Sequence, residues 1–274
     1  MSTNIYAANT DEQQEEVKMQ RKWMTGIVLG LCAWVLGASS VWADQANREA
    51  VVTSATGQVE WLKSGEADWK IAAAGQKLGI GDKVRTGKKS EALLTLDDES
   101  KITLSAGSEF SIQSLIKNTS TEELETVLAL MKGKLRSEVT PLKGNSKFEI
   151  ETPAVVAAVR GTVLGISINP DGTISVGCDS GKVELDHKGE NHFTALLDNG
   201  DEAEIDYNET TGVIKITSVK GSFDVKGPDG ETKTLNEGDS VTFGKGPATF
   251  VPATTDTLNA PVTDTQNEAA SGSD

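Results

Sequence analysis

The chain has 274 residues, with 26 basic against 41 acidic side chains and a formal charge of -15. Such an average field repels phosphate polymers and anionic headgroups, so nucleic acid is excluded as an expected partner. Aromatics make up only 5% while glycines number 27, which suits short turns and aliphatic strand interiors and points to an all-β protein.

In chain order, residues 1–43 read as an export segment. Lys18, Arg21 and Lys22 precede an apolar run from Met24 that closes on Val41, Trp42 and Ala43, with a small residue at the cut position. The expectation is a signal peptide removed after Ala43 and a periplasmic or extracellular product. The run lies at the lower limit of about 20 residues for a spanning helix, so the alternative is an N-terminal apolar anchor helix in the inner membrane. Membrane contact is expected only if residues 24–43 are retained in this way. The acidic Asp11, Glu12, Glu15 and Glu16 make the leader unusually long, and initiation at Met19 would shorten it. Leu31 before Cys32 is too bulky for a lipid-attachment cut. Once the leader is removed only Cys178 remains, so no intramolecular disulfide is expected and core burial has to carry stability.

From Ala50 to about Gly246 the pattern alternates with period two and is broken by glycine-rich turns. Ala92, Leu94 and Leu96 share one face, "DDES" turns, and Ile102 with Leu104 return, which is a hairpin; Phe110 and Ile112 mark the next strand. "NPDGT" at 169–173 and "GPDGE" at 227–231 place Pro and Gly as hairpin tips require. An internal repeat pairs strand openings at Gly57, Gly181 and Gly221 with later Gly-Asp turns in "LGIGDKVRT", "LDNGDEAEI" and "LNEGDSVTF". In each turn glycine takes a left-handed conformation and aspartate bonds free amides. The expected architecture is stacked antiparallel hairpins forming a sandwich or solenoid-like domain, the repeats sharing a continuous core. The segment 120–132 is ambiguous: Ser120 and Glu123 fit a helix capping box, yet Val127, Ala129 and Met131 alternate against Leu128 and Leu130. The tail 251–274 is acidic and poor in large apolar residues, and is expected to be disordered.

Constellations for catalysis are weak. Asp-Ser-Gly at 179–181 lacks the upstream histidine that a serine protease triad of that type needs, since His187 and His192 both follow Ser180. The two histidines are five apart, on opposite faces of an alternating strand, without a thiolate pair, so no zinc site is expected and they read as solvated loop residues. Cys178 reads as a small core residue. Single Gly-Asp pairs do not supply a calcium loop, and the clusters "DDES" and "DNGDEAEID" read as solvated acidic faces. The chain is read as no enzyme, with no cofactor and no metal.

One set of segments has a family likeness. "GDKVRTGKKSEALLTLDDESKITLSAGSEFSI", "MKGKLRSEV" and "FEIETPAVVAAVRGTVLGISI" followed by "SGKVEL" resemble, in order and spacing, the FecR-like periplasmic domain. Thr152 and Pro153, then Val159, Arg160, Gly161 and Thr162, match that family's T-P-x(5)-V-R-G-T motif. The resemblance covers residues 50–187, leaving 188–250 as an additional β-hairpin extension. It implies that "TVLALMKGKLRSEV" is strand with a turn at Gly133. It also implies a signalling module, since its best-known members are membrane regulators that control a sigma factor and read an outer-membrane receptor. Only about twenty residues precede the apolar run, too few for a packed anti-sigma domain, so direct sigma-factor control is not expected.

The apolar run after Pro153 is expected to be covered on both faces, with Gly161 allowing a bulge or close approach. Arg160 is expected to use its guanidinium fork to bond carbonyls or a carboxylate at the sheet's end, fixing how hairpin layers meet. The function expected is an exported, noncatalytic interaction or signalling module of the cell envelope, recognising an envelope protein or glycan through strand edges and loops. The alternatives are a structural envelope protein binding peptidoglycan or surface polysaccharide, and a membrane-anchored regulator of a sigma-factor pathway.

Overall fold

The structure is a computed structural model that describes residues 45–187 and 189–253. The expected export segment with its helix, and all but the first residues of the acidic tail, lie outside the described residues. From Gln45 onward the described chain is β throughout, without a helix.

β1 (Gln45–Asn47) and β2 (Ala50–Thr56) come first, followed by β3 (Val59–Leu62), β4 (Lys70–Ile71), β5 (Lys77–Leu78) and β6 (Lys83–Thr86). β7 (Glu91–Leu96) and β8 (Lys101–Leu104) form the hairpin expected around residues 97–100, with Ala92, Leu94, Leu96, Ile102 and Leu104 all buried. β9 (Glu109–Asn118) pairs with β10 (Leu124–Glu138), a strand of 15 residues. After that, strands come in pairs. They are β11 (Lys147–Glu151) with β12 (Val156–Val159), β13 (Val163–Ile168) with β14 (Ile174–Ser180), and β15 (Val183–His187) with β16 (Phe193–Leu197). Then follow β17 (Glu202–Asn208) with β18 (Val213–Lys220), β19 (Phe223–Lys226) with β20 (Thr232–Leu235), and β21 (Ser240–Gly244) with β22 (Gly246–Val251).

Two ladders meet in β10. The first runs β4-β3-β6-β9-β10-β11-β12-β15-β16-β19-β20, with β1 along the far end of β9. The second runs β5-β2-β7-β8-β10-β13-β14-β17-β18-β21-β22. Every pair is antiparallel except β10 with β11. From β11 on, alternate hairpins join alternate ladders, so the chain stitches the two together as it advances. Leu128, Ile150 and Leu185 of the first ladder share one buried cluster with Leu104, Ile166 and Ile205 of the second.

The ambiguous segment is strand from Leu124 because both edges of its backbone find partners, β9 on one side and β11 on the other. The turn expected at Gly133 is a different device. Residues 124–132 belong to the first ladder and 133–138 to the second, so the strand changes ladder without reversing. Gly133 has φ of +81°, and an added Cβ would stand 2.5 Å from the Ser108 Cα, so only glycine fits the crossing. The run after Pro153 also differs from expectation. Val155, Ala157 and Val159 are buried while Val156 and Ala158 are half-buried, so one face of β12 remains open.

Candidate interaction site

The repeat seen in the sequence becomes a repeated corner. Asp82, Asp201 and Asp239 each accept a hydrogen bond through Oδ2 from the amide three residues earlier, Gly79 at 2.8 Å, Asp198 at 2.8 Å and Asn236 at 3.0 Å. Through Oδ1 each accepts from an amide of an adjoining segment, Ser64, Ser222 and Ala253. The glycine before each aspartate donates to a carbonyl of the neighbouring strand, at Ile112, Cys178 and Ser218. The acidic turn at Asp201 is therefore not the solvated face expected: the carboxylate is buried because it replaces water for two amides.

The residues of the family motif sit at two bends. Thr152 closes the turn between β11 and β12, its hydroxyl donating to the Val155 carbonyl at 2.7 Å and accepting from the Val155 amide at 3.0 Å. Pro153 lies in that turn and is exposed, and Val159 is core. Gly161, at φ +79°, carries the chain from the first ladder to the second, with Pro141 so close that a Cβ would stand 2.9 Å from its Cα. Thr162 is buried and donates to the Lys182 carbonyl at 2.9 Å, tying this corner to the next one at Gly181. Arg160 lies on the outside: its side chain is exposed and its Nη2 donates to the Gly144 carbonyl.

The buried guanidinium belongs to a residue that period-two reading passes over. Arg48, in the link between β1 and β2, is 5% exposed. Its Nε donates to Asp97 Oδ1 at 2.7 Å and its Nη1 to the Thr126 hydroxyl at 2.9 Å, while Nη2 lies 3.4 Å from Asp98 Oδ1. A lone arginine in a short link carries no periodic signal, and its partners are 49 and 78 residues away in sequence.

His187 overturns the expectation of a solvated loop. It ends β15 in phase with Val183 and Leu185 and is buried, with Nδ1 2.5 Å from the Ala154 carbonyl and its ring against Phe193 and Tyr207. His192 is half-exposed, its Nδ1 2.8 Å from the His187 carbonyl. Cys178 is buried, and burial together with the charges of Asp201, Asp198 and Asp179 pushes its thiol up to about 11. It is therefore protonated and inert at neutral pH.

A built concavity lies on the outward face of the second ladder. Gly165 of β13 stands directly opposite Gly177 of β14, flanked in the same row by Arg136 of β10 and Glu202 of β17. One step along, Lys134, Ser167, Ser175 and Glu204 form a second row. The result is an open trench of about 290 Å³ with a floor of small residues, a cationic wall on β10 and an acidic wall on β17. Arg136 is ion-paired with Asp179, which the bulge after Val163 adds to β14, and lies 3.9 Å from Glu138 two residues on along β10. Neither floor glycine was singled out from sequence, although "VLGISI" and "SVGCDS" each carry a glycine in mid-strand with no turn residues beside it, the available signal.

Comparison with known families follows the same span of chain. The family described as FecR protein matches residues 82–184. Residues 82–184 are FecR-like. The resemblance drawn from the motifs is thereby borne out over that span, which holds β10, β13 and β14 of the trench and the two motif bends. Two crystal structures of a candidate anti-sigma factor from Parabacteroides distasonis ATCC 8503, at 1.65 and 2.50 Å resolution, align with TM-scores of 0.38 and 0.37. Both are 16% identical and are covered over 60% of their length, less than two thirds, against 57% of this chain. No curated protein matches the chain.

Proposed function

We propose that this chain is a noncatalytic FecR-like signalling module of the cell envelope, exported or held in the inner membrane by residues 24–43, that works by recognising a partner protein. The observation that carries the reading is the FecR match over residues 82–184, because the FecR family is one of regulators. The ladder architecture fits such a role. Chemistry-bearing side chains are spent on structure: Asp201 on a corner, Arg48 on Asp97, His187 in the core and Cys178 as a protonated thiol.

Deleting the gene and profiling transcripts, alongside protease accessibility of the tagged full chain in spheroplasts, tests this. A discrete set of altered transcripts, with the β unit cleaved only from outside, supports the reading. Unchanged transcripts, or a β unit protected until the inner membrane is lysed, would overturn it.

A further inference from the structure

We propose that the trench between β10 and β17 binds an extended polypeptide segment in which acidic and basic side chains alternate. This rests on reading the chain as a protein-recognition module and names the surface and the partner chemistry.

The first argument is the pair of glycines. Glycine in a strand interior weakens the strand relative to a residue with a side chain, so its presence needs a reason. Internal reasons fail here. Neither Gly165 nor Gly177 has positive φ, and a Cβ at either position would meet nothing within 4 Å. No backbone demand and no neighbouring side chain of this chain requires the open floor. Glycine in a sheet then marks a place where another molecule's backbone comes close.

The second argument is charge in register. Lys134 and Arg136 are two residues apart on one wall, and Glu202 and Glu204 are two apart on the other. That repeat is about 6.6–6.8 Å along an extended chain, and β10 and β17 are three strand spacings apart, about 14 Å. A single extended segment lying along the trench points alternate side chains at opposite walls, so its acidic residues meet Lys134 and Arg136 while its basic residues meet Glu202 and Glu204. Among the described residues Lys134, Glu202 and Glu204 make no ion pair. Arg136 already faces two carboxylates, Asp179 and, at 3.9 Å, Glu138, but all three side chains are half-exposed, so these pairs are weak and a ligand carboxylate replaces them readily. A sugar is the poorer fit, since no aromatic ring lines the trench to stack on it.

The test uses the full chain and an end-capped, dye-labelled peptide, Gly-Ser-Glu-Lys-Glu-Lys-Ser-Gly, read by fluorescence anisotropy. Its control has the same composition in blocked order, Gly-Ser-Glu-Glu-Lys-Lys-Ser-Gly. The alternating peptide is expected to bind at least about tenfold tighter than the blocked one, weakening as salt is raised. Gly177→Val, which fills the floor at a strand-compatible position, should abolish that binding with an unchanged or higher melting temperature. The double variant Glu202→Lys, Glu204→Lys should abolish it too. Equal binding of the two peptides, no binding of either, or undiminished binding by Gly177→Val would overturn the proposal, as would a peptidoglycan fragment that displaces the alternating peptide from the parent and fails to bind Gly177→Val. Failure here is separable from failure of the signalling reading. If gene deletion alters transcripts and a chain carrying Gly165→Val and Gly177→Val restores them fully, the trench is wrong and signalling stands; if deletion alters nothing, signalling falls and the peptide result judges the trench alone.

Discussion

Arg48 and Asp97 are joined by a 2.7 Å hydrogen bond from Nε to Oδ1, which ties the link after β1 to the turn between β7 and β8. The same side chain reaches Thr126 on β10, so one guanidinium holds three elements of the two ladders together. Its fork geometry suits this, since Nε and Nη1 aim at separate acceptors, whereas a lysine ammonium offers all its donors from a single point.

Replacing Arg48 by Met should lower stability by about 2–4 kcal/mol, because the Thr126 hydroxyl and the carboxylates of Asp97 and Asp98 lose their buried partner. Arg160→Met should cost less than about 1 kcal/mol, since an exposed side chain with one carbonyl bond is at stake. Urea titration of the two variants beside the parent reads the contrast, and a larger loss at Arg160 would reverse the assignment of the two arginines.

The corner at Asp239 predicts a specific acid dependence. Hydrogen bonds from the amides of Ala253 and Asn236 hold its carboxyl below the ordinary value of 3.8. A carboxyl depressed in the fold contributes stability above its unfolded value, and that contribution is lost as pH falls through the folded one. Asp239→Asn should therefore be less stable than the parent at neutral pH, with the gap closing below pH 3.8. Melting temperatures of both proteins measured down the acid range settle it; a gap independent of pH contradicts the mechanism.

Alkaline conditions should act through Cys178. Its thiol is raised to about 11 in the fold against an ordinary 9.0, so the folded protein holds the proton after the unfolded chain has lost it. Stability contributed by this group is complete below pH 9.0 and is lost as pH rises toward 11, by about 1–3 kcal/mol. The difference between parent and Cys178→Ala isolates the effect from other groups. In the same fold, iodoacetamide should label the unfolded chain far faster than the native one.

Two turn glycines separate conformational strain from collision. Gly172 has φ of +91° with open space around it, so Gly172→Ala should cost about 1 kcal/mol. Gly161 has φ of +79° and the Pro141 backbone at 2.9 Å from an added Cβ, so Gly161→Ala should cost about 2–3 kcal/mol. Chemical denaturation of the pair checks the order, and equal losses would mean that the corner at Gly161 yields.

Much of this was legible because it is local. Period-two alternation and glycine turns are written within a few residues, and so the hairpin at 91–104, the tips at 169–173 and 227–231 and the Gly-Asp corners could be read directly. Segment 120–132 could not, because its alternation and its capping pattern are equally good until β9 and β11 take up its backbone groups. His187 was misjudged from its spacing to His192, whereas its phase with Val183 and Leu185 placed it in the core.

The all-β character, the turn positions and the residue types that alternate inward are written locally in the chain, since each depends on interactions among near neighbours, and the order of motifs carries the likeness matched over residues 82–184. Which arginine is buried, how β10 passes from one ladder to the other, and that Gly165 faces Gly177 between β10 and β17 follow from the folded arrangement alone. Those relationships join residues tens of positions apart, and strand register, which nothing in a single strand specifies, is the physical quantity that brings them together.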